Sequence, residues 1–385
     1  MKKSYLMIAA AAALFAACQD TDTIKDVNQD VAIGFEGKYI NKVTRAELTN
    51  DWFTTNGNKF GVYGFKGSFQ LFNDEEVTYN SSNSTWAHNT VRFWDKGSNE
   101  YSFYAYAPYE ATQSFSNSKT FSFASLPVIA DIASANADIA ISSPISGLSY
   151  AQTIDDTHGA GHVEFEFNHI LSKLAFKVKT SSNANYAEIK VTAVDIDFPS
   201  GTATWTQDAA SAVAGTTTYQ SYSLKDAVSI ENNKEVTDMS KFEKSVFSGT
   251  TAALTSTGVE IQDATTTTNK GKVFIVTPVT GEASGNGSEH VFGVKVTYNV
   301  QYKKLEGGQY VNDGNPEVGC IATGVVGRGN DAATQYKPTQ NSSYVVTIDV
   351  NPEQIQFCVD KIVDWVTDLN GDTDGDGQPD PVEVK

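Results

Sequence analysis

Through the middle of the chain runs Val163-Glu164-Phe165-Glu166-Phe167-Asn168-His169-Ile170-Leu171-Ser172-Lys173-Leu174-Ala175-Phe176-Lys177-Val178-Lys179. Val163, Phe165 and Phe167 alternate with Glu164, Glu166 and Asn168. After a short break, Leu174, Phe176 and Val178 alternate with Ala175, Lys177 and Lys179. A period of two puts one set on a buried face and the other toward solvent, so two half-buried β-strands are predicted here. Toward the N-terminus, β-patterned runs recur at residues 60–65, 71–72, 77–79, 91–94 and 101–107, with turn-forming clusters such as 80–85 between them. Toward the C-terminus, Ile189, Val191, Val194, Ile196 and Phe198 resume the pattern, followed by runs at 273–276, 291–298 and 344–350. Short strands separated by Asn-, Ser-, Thr- and Gly-rich turns predict an all-β sandwich or barrel architecture. The polar segment 180–185 reads as a turn or linker, and a chain of 385 residues is long enough for two domains. A division near residue 180 is expected.

Charge and composition exclude some functions. The chain has 28 Lys+Arg against 46 Asp+Glu, a net charge of −18, so no basic excess is available to neutralise phosphates and no nucleic-acid partner is expected. The N-terminus sets the address. Lys2 and Lys3 precede an apolar run over residues 5–15, too short to span a bilayer and suited to a signal peptide. It ends Phe15-Ala16-Ala17-Cys18, which resembles a bacterial lipobox, with Phe15 where Leu is usual. Cys18 is therefore the expected lipid attachment point. Signal removal takes away two lysines and no acid, leaving −20. Residues 19–30 are polar and acidic, a tether. Val31, Ile33 and Phe35 then alternate as a short first strand. Of the three cysteines, Cys320 and Cys358 remain in the mature chain, and the sequence leaves a disulfide and two buried thiols equally open.

Motifs with chemistry are sparse. In the tail, Asp372, Asp374, Asp376 and Glu383 satisfy the spacing of an EF-hand loop around Gly377, and Asp380 adds a further carboxylate. Pro379 stands where a packing aliphatic is usual and no exit helix can follow. A weak calcium site is the chemical reading and a solvated acidic tail the plain one; no cofactor is otherwise required. His158 and His162 stand four apart, but Gly159 and Gly161 make the segment a loop, not a ligand-bearing helix. His169 is expected to be a structural, hydrogen-bonding histidine. No nucleophile and base stand at a recognisable spacing, so no enzyme is expected.

Several of these runs together resemble the fimbrillins, the two-domain lipoprotein pilins of Bacteroides and its relatives. The resemblance is carried by the lipobox Cys18, by Thr44-Arg45-Ala46, and by Phe60-Gly61-Val62-Tyr63-Gly64 followed by an aromatic strand ending Tyr104-Ala105-Tyr106-Ala107-Pro108. It continues through the central stretch quoted above and the closing Ile355, Phe357, Val363 and Trp365. The resemblance implies two tandem β-sandwich (transthyretin-like) domains. It also implies export as an outer-membrane lipoprotein, cleavage by an arginine-specific protease, and assembly with other pilin subunits, identical or related, into a surface fimbrium. On that basis residues 1–17 are the lipoprotein signal peptide and 18–45 a removable propeptide. Residues 46–180 and 181–367 form the two domains, and 368–385 the acidic tail. Arg45 is the implied cleavage residue and Ala46 the mature start, because a cut there removes both Cys18 and the Val31, Ile33, Phe35 strand. The emptied groove would accept a strand from a neighbouring subunit, gaining main-chain hydrogen bonds and alternate side-chain pockets.

Ile355, Phe357, Val359, Val363 and Trp365 could supply that donor strand, or could be the last strand of the chain's own sheet. The alternative function is a lipid-anchored glycan-binding lipoprotein using aromatics around Trp86, Trp94 and residues 101–106. Against it, the alternation predicts that most of these are core. A host or bacterial surface ligand is not named by any residue pattern.

Overall fold

The computed structural model describes residues 30–39, 50–98, 100–132, 134, 138–154, 161–198, 200–209, 213–223, 228–231, 234–260, 273–278, 292–326, 338–352 and 355–362. Strands dominate, and the helical elements among the described residues are the single turn α1 (Asn50–Phe53) and two short 3-10 turns. The all-β expectation therefore holds. No helix among these residues is long and apolar enough to cross a membrane.

The first half supplies β1 (Gly34–Tyr39), β2 (Lys59–Lys66), β3 (Phe69–Asn80), β4 (Thr85–His88), β5 (Tyr101–Ala107), β6 (Phe121–Pro127) and β7 (His162–His169). The second supplies β8 (Ser172–Lys179), β9 (Ala187–Asp197), β10 (Ser200–Gln207), β11 (Phe292–Glu306), β12 (Gln309–Asn312), β13 (Glu317–Val326), β14 (Ser342–Val350) and β15 (Ile355–Ile362). One sheet runs β1, β7, Ala140–Ser142, β5, β2, β3, β4. Another runs β15, β14, β8, Phe274–Val276, Ile129–Asp131. A third sets β9 between Lys244–Ser248 and β11, and β11 carries both β12 and β13.

Alternation dictates which faces meet. Val163, Phe165 and Phe167 bury with Phe60, Phe72 and Phe103 in a core rich in aromatic rings. Leu174, Phe176 and Val178 bury instead among Val191, Val194, Val296 and Val346, a largely aliphatic core. Between the two lies a third cluster around Tyr106, Phe123, Trp205, Ile170 and Leu171. The chain changes sheet at residues 170 and 171. Ser172 and Lys173 already pair with Ser342 and Ser343 of β14, while β10, further along, returns to pair with β6.

Two details depart from the sequence pattern. Lys173 and Ala175 are fully buried although their alternation points them outward. β8 has sheet neighbours on both sides, parallel β14 and antiparallel Phe274–Val276, so it is a central strand in the middle of the fold. Residues 91–94 do not form a strand; they make a single bridge, Phe93 to Ala32, with Val91 and Phe93 exposed and Trp94 buried.

Candidate functional site

The segment 31–39 lies between two pieces of chain. On one side β1 runs parallel to β7, in register from Gly34 opposite His162 to Tyr39 opposite Phe167. On the other, residues 31–33 pair with 92–94: the Ile33 N–H donates to the Arg92 carbonyl at 2.8 Å, and the Trp94 N–H donates to the Val31 carbonyl at 2.9 Å. Because 92–94 follow β4 and β7 stands at the opposite end of the sheet order, this segment joins the sheet's two ends.

Side chains lock it in place. Ile33 and Phe35 are 1% and 2% exposed. The Phe35 ring sits 5.0 Å from Phe72, 5.8 Å from Phe103 and 5.9 Å from Phe165, with the His88 imidazole at 5.0 Å on another side. Burying two such side chains is worth roughly 3–6 kcal/mol together. His88 donates from Nε2–H to the Ile33 carbonyl at 3.0 Å, which fixes its tautomer in the neutral ring, and its Nδ1 lies 3.8 Å from Glu75. The Gly161 carbonyl accepts both the Gly34 N–H at 3.0 Å and the Trp94 indole N–H at 2.9 Å.

Glycines permit the close approach. Gly161 has φ +100°, and a Cβ there would stand 2.6 Å from Val31 Cγ1 and 2.7 Å from the Ala32 carbonyl oxygen. A Cβ on Gly37 would meet the Phe53 and Phe167 rings at 3.0 and 3.1 Å. Beside this seat is a cleft of about 340 Å³, lined by Glu36, Ile145, Leu148, Thr153, His162 and Val163 among others. His162 Nδ1 stands 3.6 Å from Glu36 across its edge.

In chemical terms the site is a strand seat, not a reaction centre. Lifting out residues 31–39 would free the main-chain edge of β7 and uncover the wall formed by Phe72, Phe103 and Phe165. Both are what an incoming extended segment needs: a ladder partner and alternate apolar pockets. β1 is moreover a parallel strand, a pairing slightly less stable per residue than the antiparallel pairs elsewhere in its sheet.

Of the residues the sequence designates, Val31, Ile33 and Phe35 come together here. Cys18, Arg45 and Ala46 lie outside the described residues, as do Val363, Trp365, Asp372, Asp374, Asp376, Asp380, Glu383 and His158. Ile355, Phe357 and Val359 stand on β15, antiparallel to β14 and opposite Val350, Ile348 and Val346, at the edge of the chain's own sheet. Cys320 is a free, partly buried thiol on β13, opposite Tyr298, and Cys358 stands on β15 opposite Thr347. His169 is buried and donates from Nδ1 to Asp138 at 2.9 Å, a structural bond. No cluster of three or more metal-ligating side chains occurs among the described residues. Trp94, Tyr101, Phe103 and Tyr106 are core residues, and Trp86, half-buried like Tyr104, packs 4.8 Å from Phe60, so most of the aromatics that the glycan-binding alternative would use are taken up by packing.

Sequence reasoning missed His88, Trp94 and Gly161 as parts of the seat. Gly34 and Gly37, flanking Phe35, were a usable signal, since isolated glycines in a strand pattern mark close backbone approach. Nothing local in the sequence marks His88, which is 55 residues from its partner.

A family model described as fimbrillin-like matches residues 44–324. Among solved structures, a fimbrial protein from Bacteroides vulgatus is 18% identical, covering 87% of this chain and 99% of its own, with a TM-score of 0.45. A Bacteroides uniformis protein ascribed to cell adhesion is 16% identical over 88% of this chain and 99% of its own, with a TM-score of 0.44. No curated protein matches the sequence.

Proposed function

This chain belongs to the fimbrillin-like family, a family of structural adhesion proteins and not of enzymes, and from that premise we propose that it is a pilus subunit assembled by strand exchange. In this reading the chain folds as two tandem transthyretin-like sandwiches, the sheet change at residues 170 and 171 falling just ahead of the division drawn at 180. It is exported as an outer-membrane lipoprotein on Cys18 and reaches the surface with its groove closed. An arginine-specific protease then cuts after Arg45. The cut severs the lipid and the covalent link that holds residues 31–39 in their seat. A strand from another subunit takes their place. β15 and the residues after it are the proposed donor, leaving the edge of β14 to enter the groove of the next copy.

The observation that carries this reading is the seat itself. The first strand of the fold plugs an aromatic groove between two sheet ends, and the one arginine between that strand and α1 is Arg45.

The test is mass spectrometry of the N-terminus of protein sheared from cells with and without their arginine-specific protease. The expected result is a mature start at Ala46 and a ladder of oligomers, both abolished by Arg45→Ala. Lipid-modified Cys18 on every surface molecule, with monomers only, refutes the proposal.

A further inference from the structure

We infer that the cleft where the aliphatic core runs out is a binding site for a neutral saccharide, separate from the strand seat. The aromatics that the sequence offers for sugar stacking lie in the first half and are mostly taken up by packing. Two others, Tyr186 and Tyr302, are 59% and 38% exposed and line one cleft of about 330 Å³.

Strand alternation explains why this cleft exists. Val296, Tyr298 and Val300 are the buried row of β11, and Val346, Ile348 and Val350 that of β14; the two rows meet in the aliphatic core. Continued by two residues, they reach Tyr302 and Pro352, and both of these line the cleft. Tyr302 has Ala187 opposite it in β9, so its ring stands past the last core layer beside no more than a methyl group on that strand. The rest of the described lining comes mainly from Ser182, Asn183 and Tyr186, between β8 and β9, and from Asn351 just after β14.

Hydrogen bonds hold these residues in place without a ligand. The Lys303 N–H donates to the Tyr186 carbonyl at 2.8 Å, Lys303 Nζ to the Ala184 carbonyl at 3.0 Å, and the Tyr186 N–H to the Asn183 carbonyl at 2.8 Å. The Tyr186 ring is braced at right angles to Tyr310, 5.6 Å away. Asn351 Oδ1 accepts from Ser182 Oγ at 2.9 Å and Ser181 Oγ at 3.2 Å, and Asn183 Oδ1 accepts the Asn185 N–H at 2.9 Å. Both amide oxygens are thus engaged, while the two NH₂ groups have no partner among the described residues and are donors for a ligand.

The chemistry of the lining selects the ligand. It holds two aromatic rings, two carboxamides and a serine hydroxyl, and no charged side chain among the described residues. The charged residues on the strands and turns that frame it balance, four against four, and each is paired: Lys179 with Asp349, Lys190 and Lys303 with Glu188, and Lys304 with Glu306 and Asp313. Glu353, next after Pro352, lies outside the described residues and adds no attraction for an anion. A neutral pyranose matches this set: its C–H face covers a tyrosine ring, and its hydroxyls accept from the carboxamide N–H groups. A polyproline segment also docks on aromatic-lined grooves. It needs several pockets in a row, however, and this cleft is at the small end of ligand sites, which run roughly 300–1,000 Å³. So open a cleft binds weakly, at about millimolar Kd, and display of many copies on one surface raises the avidity.

The test titrates the full chain with lactose, maltotriose, mannotriose and diacetylchitobiose, read by saturation-transfer NMR. Sialyllactose serves as the charged counterpart and decaproline as the competing class. The expected result is saturable transfer to at least one neutral sugar at about 1–10 mM. Tyr186→Ala and Tyr302→Ala should each weaken it several-fold, with unchanged thermal melts because both rings are exposed, and Tyr186→Phe, which keeps the ring, should retain it. No transfer to any neutral sugar, transfer undiminished by either alanine, tighter binding of sialyllactose than of lactose, or binding of decaproline alone overturns the inference. Arg45→Ala, which blocks assembly in the proposed scheme, should leave sugar binding intact, so either reading can fail while the other stands.

Discussion

Replacing Phe35 by alanine isolates the strand seat from the rest of the fold. The ring is 2% exposed and packs on Phe72, Phe103, Phe165 and His88 at centroid distances of 5.0–5.9 Å. A Phe→Ala change in so enclosed a site costs about 3–5 kcal/mol, the transfer of the ring plus the cavity it leaves. If residues 31–39 lift out as a unit, that sum comes off their opening free energy, and population of the open state rises roughly 100- to 4,000-fold. Native-state hydrogen exchange reads this directly. In the parent protein the amides of residues 163, 165 and 167, the alternate set that faces β1, should be less protected than those of β2 and β5, which sit between antiparallel neighbours. In Phe35→Ala they should accelerate by the factor above and remain the least protected. Equal protection of 163, 165 and 167 and of β5 in both proteins would mean that β1 opens only with global unfolding. The seat would then be ordinary core, and the removable-strand reasoning would be wrong.

Gly161→Ala should loosen the same segment by roughly 2–4 kcal/mol, combining a strained positive φ with a clash against Val31 and Ala32. Gly57→Ala, with φ +84° and open space around it, should cost only the backbone part, about 1–2 kcal/mol; equal losses in thermal melts would refute the clash. Tyr106 donates to Asp74 at 2.7 Å, and burial followed by that carboxylate pushes its phenol above the ordinary value. The folded chain thus keeps a proton that the unfolded chain sheds above about pH 10, so stability should fall as pH rises past that point. Tyr106→Phe should lose about 1–2 kcal/mol at neutral pH and show a shallower alkaline decline in urea midpoints; an unaltered slope would assign the effect to other tyrosines. For the tail, calcium titrated into the full chain should bind at about 10⁻⁴–10⁻³ M, and Asp374→Ala with Asp376→Ala should abolish it; unchanged heats would leave only a solvated acidic tail.

The strand-forming segments and their buried faces were legible in the amino-acid order alone. Alternation is a local property: Val163, Phe165 and Phe167, or Leu174, Phe176 and Val178, need no partner to reveal a period of two. It also indicated that Ile33 and Phe35 would be buried and that the aromatics of β5 would be core, because burial follows face and face follows period. Partners were not legible. That β1 lies parallel to β7 and also pairs with residues 92–94, that His88 reaches the Ile33 carbonyl, and that Lys173 is buried in a central strand are consequences of how sheets close. Each joins positions far apart in the chain, and a periodic pattern carries no register between distant strands.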